Sequence, residues 1–457
     1  MLEFIKSKQT YFYLLLLCSI GIGLQVVAYK IAIILLLLQW FISADFNNKI
    51  QYLKKDIVSV GLILLYLFYA ISFFWSDNSS VALNDLLLKL PILILPLVIA
   101  SQQKLNKKQV SQILLAFASS SILINLVCLV HGYFSYLETN ELHHLYYHKL
   151  TLNMHTAYQG MFTCFSIVLL VYLRVKEKFI SNWIMYVGVS FQLLLVLLLS
   201  SRMQILIIAV LIPTYLIVKY YKQKQLYKGI LYSALIFYLA NSIMSLPSSL
   251  NYRYKQTVTH ISSIGVDDDN SDPRKFIWQN GLKVIQENWL FGNGIGDAKD
   301  ILLIKYSELV LDDPTAITLI DSAIHKIEQN PRTITYLGEK AIQNEISYEE
   351  QLDLYTKKIL IRKNNRYKSF VKKRYNFHNQ YLQTFGTIGI FGILLLLYLF
   401  AFPFFKSLKK KDYLFAFFLF VVGSSFLTES MLERQAGVSF IVFFYVLLWS
   451  SNQNKHA

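Results

Sequence analysis

Charge is scarce in this sequence: only 16% of its 457 residues are Asp, Glu, Lys or Arg, whereas 55% are hydrophobic and 15% aromatic. With a mean hydropathy of +0.42, that balance excludes an ordinary soluble globular chain and points to the membrane class. Cysteine is scarcer still. Cys18, Cys128 and Cys164 lie inside apolar segments and are odd in number, so neither a disulfide framework nor a cysteine zinc site is indicated. Acidic residues are short against basic ones, 28 to 44, and the net charge of +16 invites a nucleic-acid reading. The lysines, however, sit in short clusters between apolar runs, where they orient helices, so nucleic acid is not expected as a partner. No small-residue cleavage site closes the first apolar stretch behind Lys6 and Lys8, and a second follows closely. That stretch is expected to be a retained first membrane helix, not a signal peptide. Repeats and low-complexity tracts are also lacking.

What is present is a series of apolar runs of spanning length, for which about 20 residues are needed at 1.5 Å rise each. They fall near 11–28, 30–44, 56–75, 84–100, 109–132, 156–173, 182–200, 203–218, 228–246, 381–404, 413–429 and 436–450. This reads as an all-α polytopic membrane protein with about 12 transmembrane helices. Base clusters recur in alternate connections: Lys49, Lys54 and Lys55; Lys104, Lys107 and Lys108; Arg174, Lys176 and Lys178; Lys219, Lys222, Lys224 and Lys228; and Lys406 with Lys409 to Lys411. Those connections and both termini are expected to be cytoplasmic. The organisation is then 1–245 with helices 1–9, a large non-cytoplasmic loop at 246–380, and 381–457 with helices 10–12 and a tail. Ala298 to Phe370 mixes apolar and charged residues at helical spacing, so amphipathic helices are expected in the loop, and strands are not.

Chemistry-bearing residues gather near this loop. Arg274 to Trp278 leads to Phe291-Gly292-Asn293-Gly294-Ile295-Gly296, a glycine turn that either lets a backbone approach a phosphate or simply returns a helix to the membrane. Beyond it stands His378-Asn379-Gln380, directly before Gly386, Gly389 and Gly392. A histidine is suited to take a proton from a hydroxyl near neutral pH, with helix capping the plain alternative for its neighbours. Arg202, after Ser200-Ser201 at the outer end of two apolar helices, either snorkels or holds a lipid phosphate with its guanidinium. Lys89 is an intramembrane cation that either faces the same cavity or pairs with Asp85. His143, His144, His148 and His155 with Tyr158 raise a metal site, but no carboxylate completes a recognised spacing, so interface histidines are favoured. Asp267-Asp268-Asp269 with Asp272 reads as a solvated acidic turn. The bases from Lys357 to Arg374 are either a solvated face or an attractor of anionic lipid or polysaccharide.

These residues resemble the O-antigen ligase and polymerase superfamily of bacterial envelope polysaccharide assembly. The resemblance rests on the dozen helices with a large loop before the last three, on Ser201-Arg202, on Arg274 to Trp278 leading to Phe291-Gly292-Asn293-Gly294, and on His378-Asn379 with Leu382. The pattern departs at Asn288-Trp289, where the family has an acidic residue and proline, and at His155-Thr156, where many members have His-Pro. The resemblance implies a GT-C-like glycosyltransferase of the bacterial inner membrane. It implies catalysis at the periplasmic face without metal or other cofactor, and an undecaprenyl-diphosphate-linked glycan as donor. The acceptor would be a hydroxyl of lipid A core, of a repeat unit or of another molecule. It further implies His378 as base and Arg202 and Arg274 as diphosphate ligands. Asn379, Gln380, Gly292, Gly294, Lys89, His155 and Tyr158 would support the site or the substrate. A polymerase joining lipid-linked repeat units is the alternative to a ligase, and a lipid-linked sugar transporter is the reading from a different class.

Overall fold

The computed structural model describes residues 2–102, 104–152, 154–245, 273–311, 324–325, 327–363 and 374–452. Among them there are helices and turns and no strands, as the apolar patterning predicts. The longer helices are α1 (Lys8–Leu24), α2 (Ala28–Ile42), α3 (Phe46–Lys55), α4 (Ile57–Ile71), α5 (Ser79–Lys89), α6 (Pro91–Ser101), α7 (Lys107–Thr139), α8 (Thr156–Val175) and α9 (Asn182–Leu199). Then follow α10 (Arg202–Lys222), α11 (Leu226–Ser245), α12 (Pro273–Glu287), α13 (Ala298–Leu311), α14 (Pro331–Gln343), α15 (Tyr348–Lys363), α16 (Gln380–Lys409), α17 (Tyr413–Phe426) and α18 (Gln435–Asn452).

A helix stands at each of the twelve expected positions. Among the described residues seven helices are long and apolar enough to cross a membrane: Ile57–Trp75, Ser79–Ser101, Lys107–Thr139, Thr156–Val175, Asn182–Leu199, Arg202–Lys222 and Gln380–Lys409. The pair α2 and α3 is bent by 119°, and Lys8–Leu24, Leu226–Ile236, Tyr413–Phe426 and Gln435–Ser451 are apolar but shorter. The protein is thus a polytopic helical membrane protein. Its helix ends follow ordinary capping chemistry: α7 opens on a capping box between Asn106 and Gln109 and closes on Asn140 at φ 55°.

Two kinds of contact hold the bundle. Phe117 on α7, Phe162 and Phe165 on α8 and Phe440 and Phe444 on α18 interlock, with Phe162 stacked on Phe440 at 4.2 Å. Buried amides supply the second. Gln159 donates to Asn125 at 2.8 Å, Asn125 donates to Gln192 at 2.7 Å, and Gln192 donates to Ser166 at 3.0 Å, tying α7, α8 and α9 together.

The loop between α11 and α16 carries its own small core. Ile277, Val284 and Ile285 of α12 and Leu302 and Tyr306 of α13 close around Phe377, which is fully buried. The helices α13, α14 and α15 fulfil the expectation of helices in this segment. Residues 246–272, including the acidic turn Asp267 to Asp272, and residues 364–373 of the basic run lie outside the described residues.

A glycine interlock fixes how this loop meets the bundle. α16 is broken at Ile388 and Gly389, the latter at φ 67°, which frees backbone groups that a continuous helix would use. The turn after α12 satisfies them. Asn293 and Gly294 donate from their backbone amides to the carbonyls of Gly386 at 2.9 Å and Thr387 at 3.0 Å, and Ile390 donates to the carbonyl of Trp289 at 3.0 Å. A Cβ on Gly292, at φ 74°, would lie 2.5 Å from the Thr387 backbone, so the close approach requires glycine.

Candidate functional site

His378 lies in the short segment between the loop and α16, and its neighbours determine where it points. Phe377 wedges between two helices at positions where only glycine leaves room: a Cβ on Gly281 of α12 or Gly386 of α16 would come within 2.8 or 2.7 Å of its ring. His378 then turns in the left-handed region at φ 44°, held by its own amide donating to Asn376 Oδ1 at 3.0 Å. Such a conformation costs on the order of 1 kcal/mol or more, so surrounding contacts must impose it. Asn379 supplies them. Its Oδ1 accepts from the amides of Tyr381 and Leu382 at 2.9 and 3.1 Å, capping α16, while its Nδ2 donates to the carbonyl of Leu427 at 3.1 Å. Gln380 adds a second tie, accepting from the Leu432 amide at 2.7 Å and donating to Thr384 Oγ1 at 3.0 Å. Both amides therefore build the site by binding α16 to the connection between α17 and α18.

That connection carries the partner that the sequence reading missed. The Nδ1 of His378 lies 3.3 Å from both carboxylate oxygens of Glu429, and Glu429 is only 6% exposed. Burial pushes its carboxyl up, but the His378 hydrogen bond and the charges of His378, His155 and Arg274 outweigh it and hold the group below the usual carboxylate range. Four groups thus converge from different stretches of chain: His155 capping α8, Arg274 in the first turn of α12, His378 before α16, and Glu429 after α17.

His155 accepts from the Ala157 amide on Nδ1 at 3.4 Å, so its Nε2 carries the proton in the neutral ring. Burial lowers its pKa first, and the cations Arg434 and Arg274 act in the same sense, against Glu429. Tyr158 donates to the carbonyl of Ser430 at 3.0 Å, and Arg434, exposed at the rim, sits over its ring at 5.8 Å.

Lys89 is not paired with Asp85. Its Nζ lies 2.8 Å from Glu433, and Lys299 of α13 bridges the other Glu433 oxygen at 2.6 Å and Asp85 at 3.0 Å. The physical reason is reach: α5 presents Lys89 to the short turn Met431–Glu433, while Asp85 faces the loop helix. Burial raises the Glu433 carboxyl, yet Lys299 and Lys89 together bring it well below the ordinary range; burial lowers Lys299, and its two carboxylates raise it above the usual lysine value.

Gly292 and Gly294 lie in the interlock with α16, so their close approach serves packing against a helix break. Arg202 opens α10 behind its N-cap Ser201, and Ser200 before it ends α9 in the left-handed region at φ 50°. Ser201 packs beside Gly160, one turn into α8 from His155, which puts Arg202 at the same end of the bundle. Among the histidines of the connection between α7 and α8, His143 and His144 lie beside a carboxylate: Glu141, two residues before His143, reaches both. The spacing matched no metal motif because vicinal histidines come together through a 3-10 turn, not through a helical i, i+4 repeat.

Fold and site define a polytopic membrane protein in which a buried glutamate paired with a half-buried histidine lies where the large loop meets the helices. The O-antigen ligase family model matches residues 187–327, from α9 through α13, and bears out the resemblance to the O-antigen ligase and polymerase superfamily. The matched region includes Arg202, Arg274, Gly292 and Gly294 and ends before His378. It supports a ligase or polymerase type of enzyme at the level of the family, acting between a lipid-linked glycan and an acceptor. No curated protein matches the chain.

Proposed function

We propose that the protein is an O-antigen ligase-type glycosyltransferase of the bacterial inner membrane, moving a glycan from an undecaprenyl-diphosphate donor to a hydroxyl acceptor at the periplasmic face. The observation that carries this reading is the buried Glu429 against His378 Nδ1. A carboxylate at Nδ1 fixes the imidazole tautomer with its proton on that nitrogen and leaves the Nε2 lone pair for an incoming hydroxyl. His378 takes the hydroxyl proton as the acceptor oxygen attacks the anomeric carbon. The bond from that carbon to the diphosphate oxygen breaks, the configuration inverts, and undecaprenyl diphosphate leaves with its charge met by Arg202 and Arg274. Glu429 stabilises the imidazolium formed. The energy of transfer resides in the glycosyl-diphosphate bond, so positioning, a base and anion stabilisation suffice.

In this reading both termini and the base-rich connections face the cytoplasm, and the loop at 246–380 with the acid–histidine pair faces the periplasm. A ligase is favoured over a polymerase by the single dominant loop leading into His378-Asn379 and the glycine-rich start of α16. The test supplies purified protein with undecaprenyl-diphosphate glycan and candidate acceptors, with chelator present. Covalent transfer to lipid A core supports the ligase, and transfer only to a second lipid-linked repeat unit makes the protein a polymerase. Translocation of unaltered donor across liposomes, with no covalent product, overturns the enzyme reading in favour of a transporter.

A further inference from the structure

Outside the acid–histidine pair, one cluster among the described residues brings three metal-ligating atoms together. The connection between α7 and α8 begins at Asn140 and makes a 3-10 turn over Leu142–Leu145, followed by a short helix, Tyr147–Leu150. The turn is anchored: a Cβ on Gly132 of α7 would meet the His144 carbonyl at 2.6 Å, so the two backbones touch, and Leu150 is fully buried. On that base His143 Nε2 lies 3.3 Å and His144 Nε2 3.8 Å from the same oxygen of Glu141, and the three ligand atoms lie within 4.8 Å of one another.

We propose that Glu141, His143 and His144 form a site for a zinc-class transition-metal ion. Two imidazole nitrogens and one carboxylate oxygen are the donor set of a three-ligand zinc site, with a fourth position left to water. Zinc holds such donors at about 2.0–2.2 Å, so they close to roughly 3.3 Å apart on binding. The rings are now stacked at 4.5 Å and 24°, so each must rotate for its lone pair to meet the other's. The side chains of His143 and Glu141, 39% and 57% exposed, have room to turn, so they make most of the movement toward His144, which is 16% exposed. The proposal does not depend on the transfer reaction, and the site carries no atom of the His378 chemistry.

The test titrates Co2+ into detergent-purified protein freed of any polyhistidine tag, follows the visible ligand-field band, and back-titrates with Zn2+. One saturable equivalent with a four- or five-coordinate spectrum, displaced by Zn2+, is expected. His143→Ala, His144→Ala and Glu141→Gln each weaken it by at least about 10-fold, while His325→Ala on the loop leaves it unchanged. To guard against misfolded variants, wild-type protein is treated with diethyl pyrocarbonate, and Zn2+ is expected to protect His143 and His144 from modification. Cobalt binding that survives the combined Glu141, His143 and His144 change, absence of saturable binding, or equal modification with and without Zn2+ overturns the proposal.

Discussion

Removing the Glu433 carboxylate tests the buried ion cluster most sharply, because Lys89 has almost no water to fall back on. Its side chain is 1% exposed, that of Glu433 is 5% exposed, and the two meet at 2.8 Å. Glu433→Gln leaves the ammonium of Lys89 without its carboxylate, whereas Lys299 retains Asp85 at 3.0 Å. Breaking a buried pair by deleting one partner costs on the order of 3–5 kcal/mol, most of it the burden of the charge left behind. Glu433→Gln is therefore expected to lower the melting temperature in detergent by several degrees, and Lys89→Met to cost less, since Glu433 keeps Lys299 at 2.6 Å. The double variant, which buries neither charge, regains at least half of the loss. The pH dependence follows from the lowered Glu433 pKa. Its stabilising contribution is complete above the unfolded value near 4.3 and is lost as pH falls from there through the folded value. Wild type should thus lose stability below about pH 5 more steeply than Glu433→Gln. Melting curves of Glu433→Gln that match wild type, or a double variant that loses the sum of both single effects, would refute the cluster's energetics.

Three further outcomes are expected. Glu429→Gln keeps the shape but not the charge, and should lower kcat for transfer by at least about 10-fold while donor binding and melting temperature stay near wild type; an unchanged kcat would mean that Glu429 only packs. Arg274→Lys keeps the charge but loses the planar fork, and should weaken both donor binding and turnover; equal values for both would remove Arg274 from the diphosphate site. Gly389→Ala introduces a Cβ 2.1 Å from the carbonyl oxygen of Leu290 at a backbone angle of φ 67°, and should destabilise by more than about 1 kcal/mol, read as a lower melting temperature.

The helices were legible because each span must be apolar and each turn leaves a base cluster or a break, and both signals are local. His378-Asn379 was legible for a similar reason, as a polar run at the foot of an apolar helix. Glu429 and Glu433 were not, since they stand in a short connection 51 and 344 residues from the groups they bind, His378 and Lys89. The signal available was the cost of an intramembrane cation: Lys89 in an apolar run demands a carboxylate, and the base-poor connection between α17 and α18 holds two. Asn125, Gln159 and Gln192 were hidden likewise, because a single amide in an apolar helix does not reveal its partners on other helices. The glycine turn had two readings in sequence, and the partner that decides its geometry, the break at Gly389, lies about a hundred residues away.

The most direct measurement is the initial rate of covalent glycan transfer by purified wild type, His378→Ala and His378→Gln, with donor binding and melting temperature determined on the same preparations. If His378 is the base, both variants fold and bind donor as wild type does, and transfer falls by about 10²- to 10⁴-fold. A folded His378→Ala protein that transfers glycan at close to the wild-type rate would contradict the account.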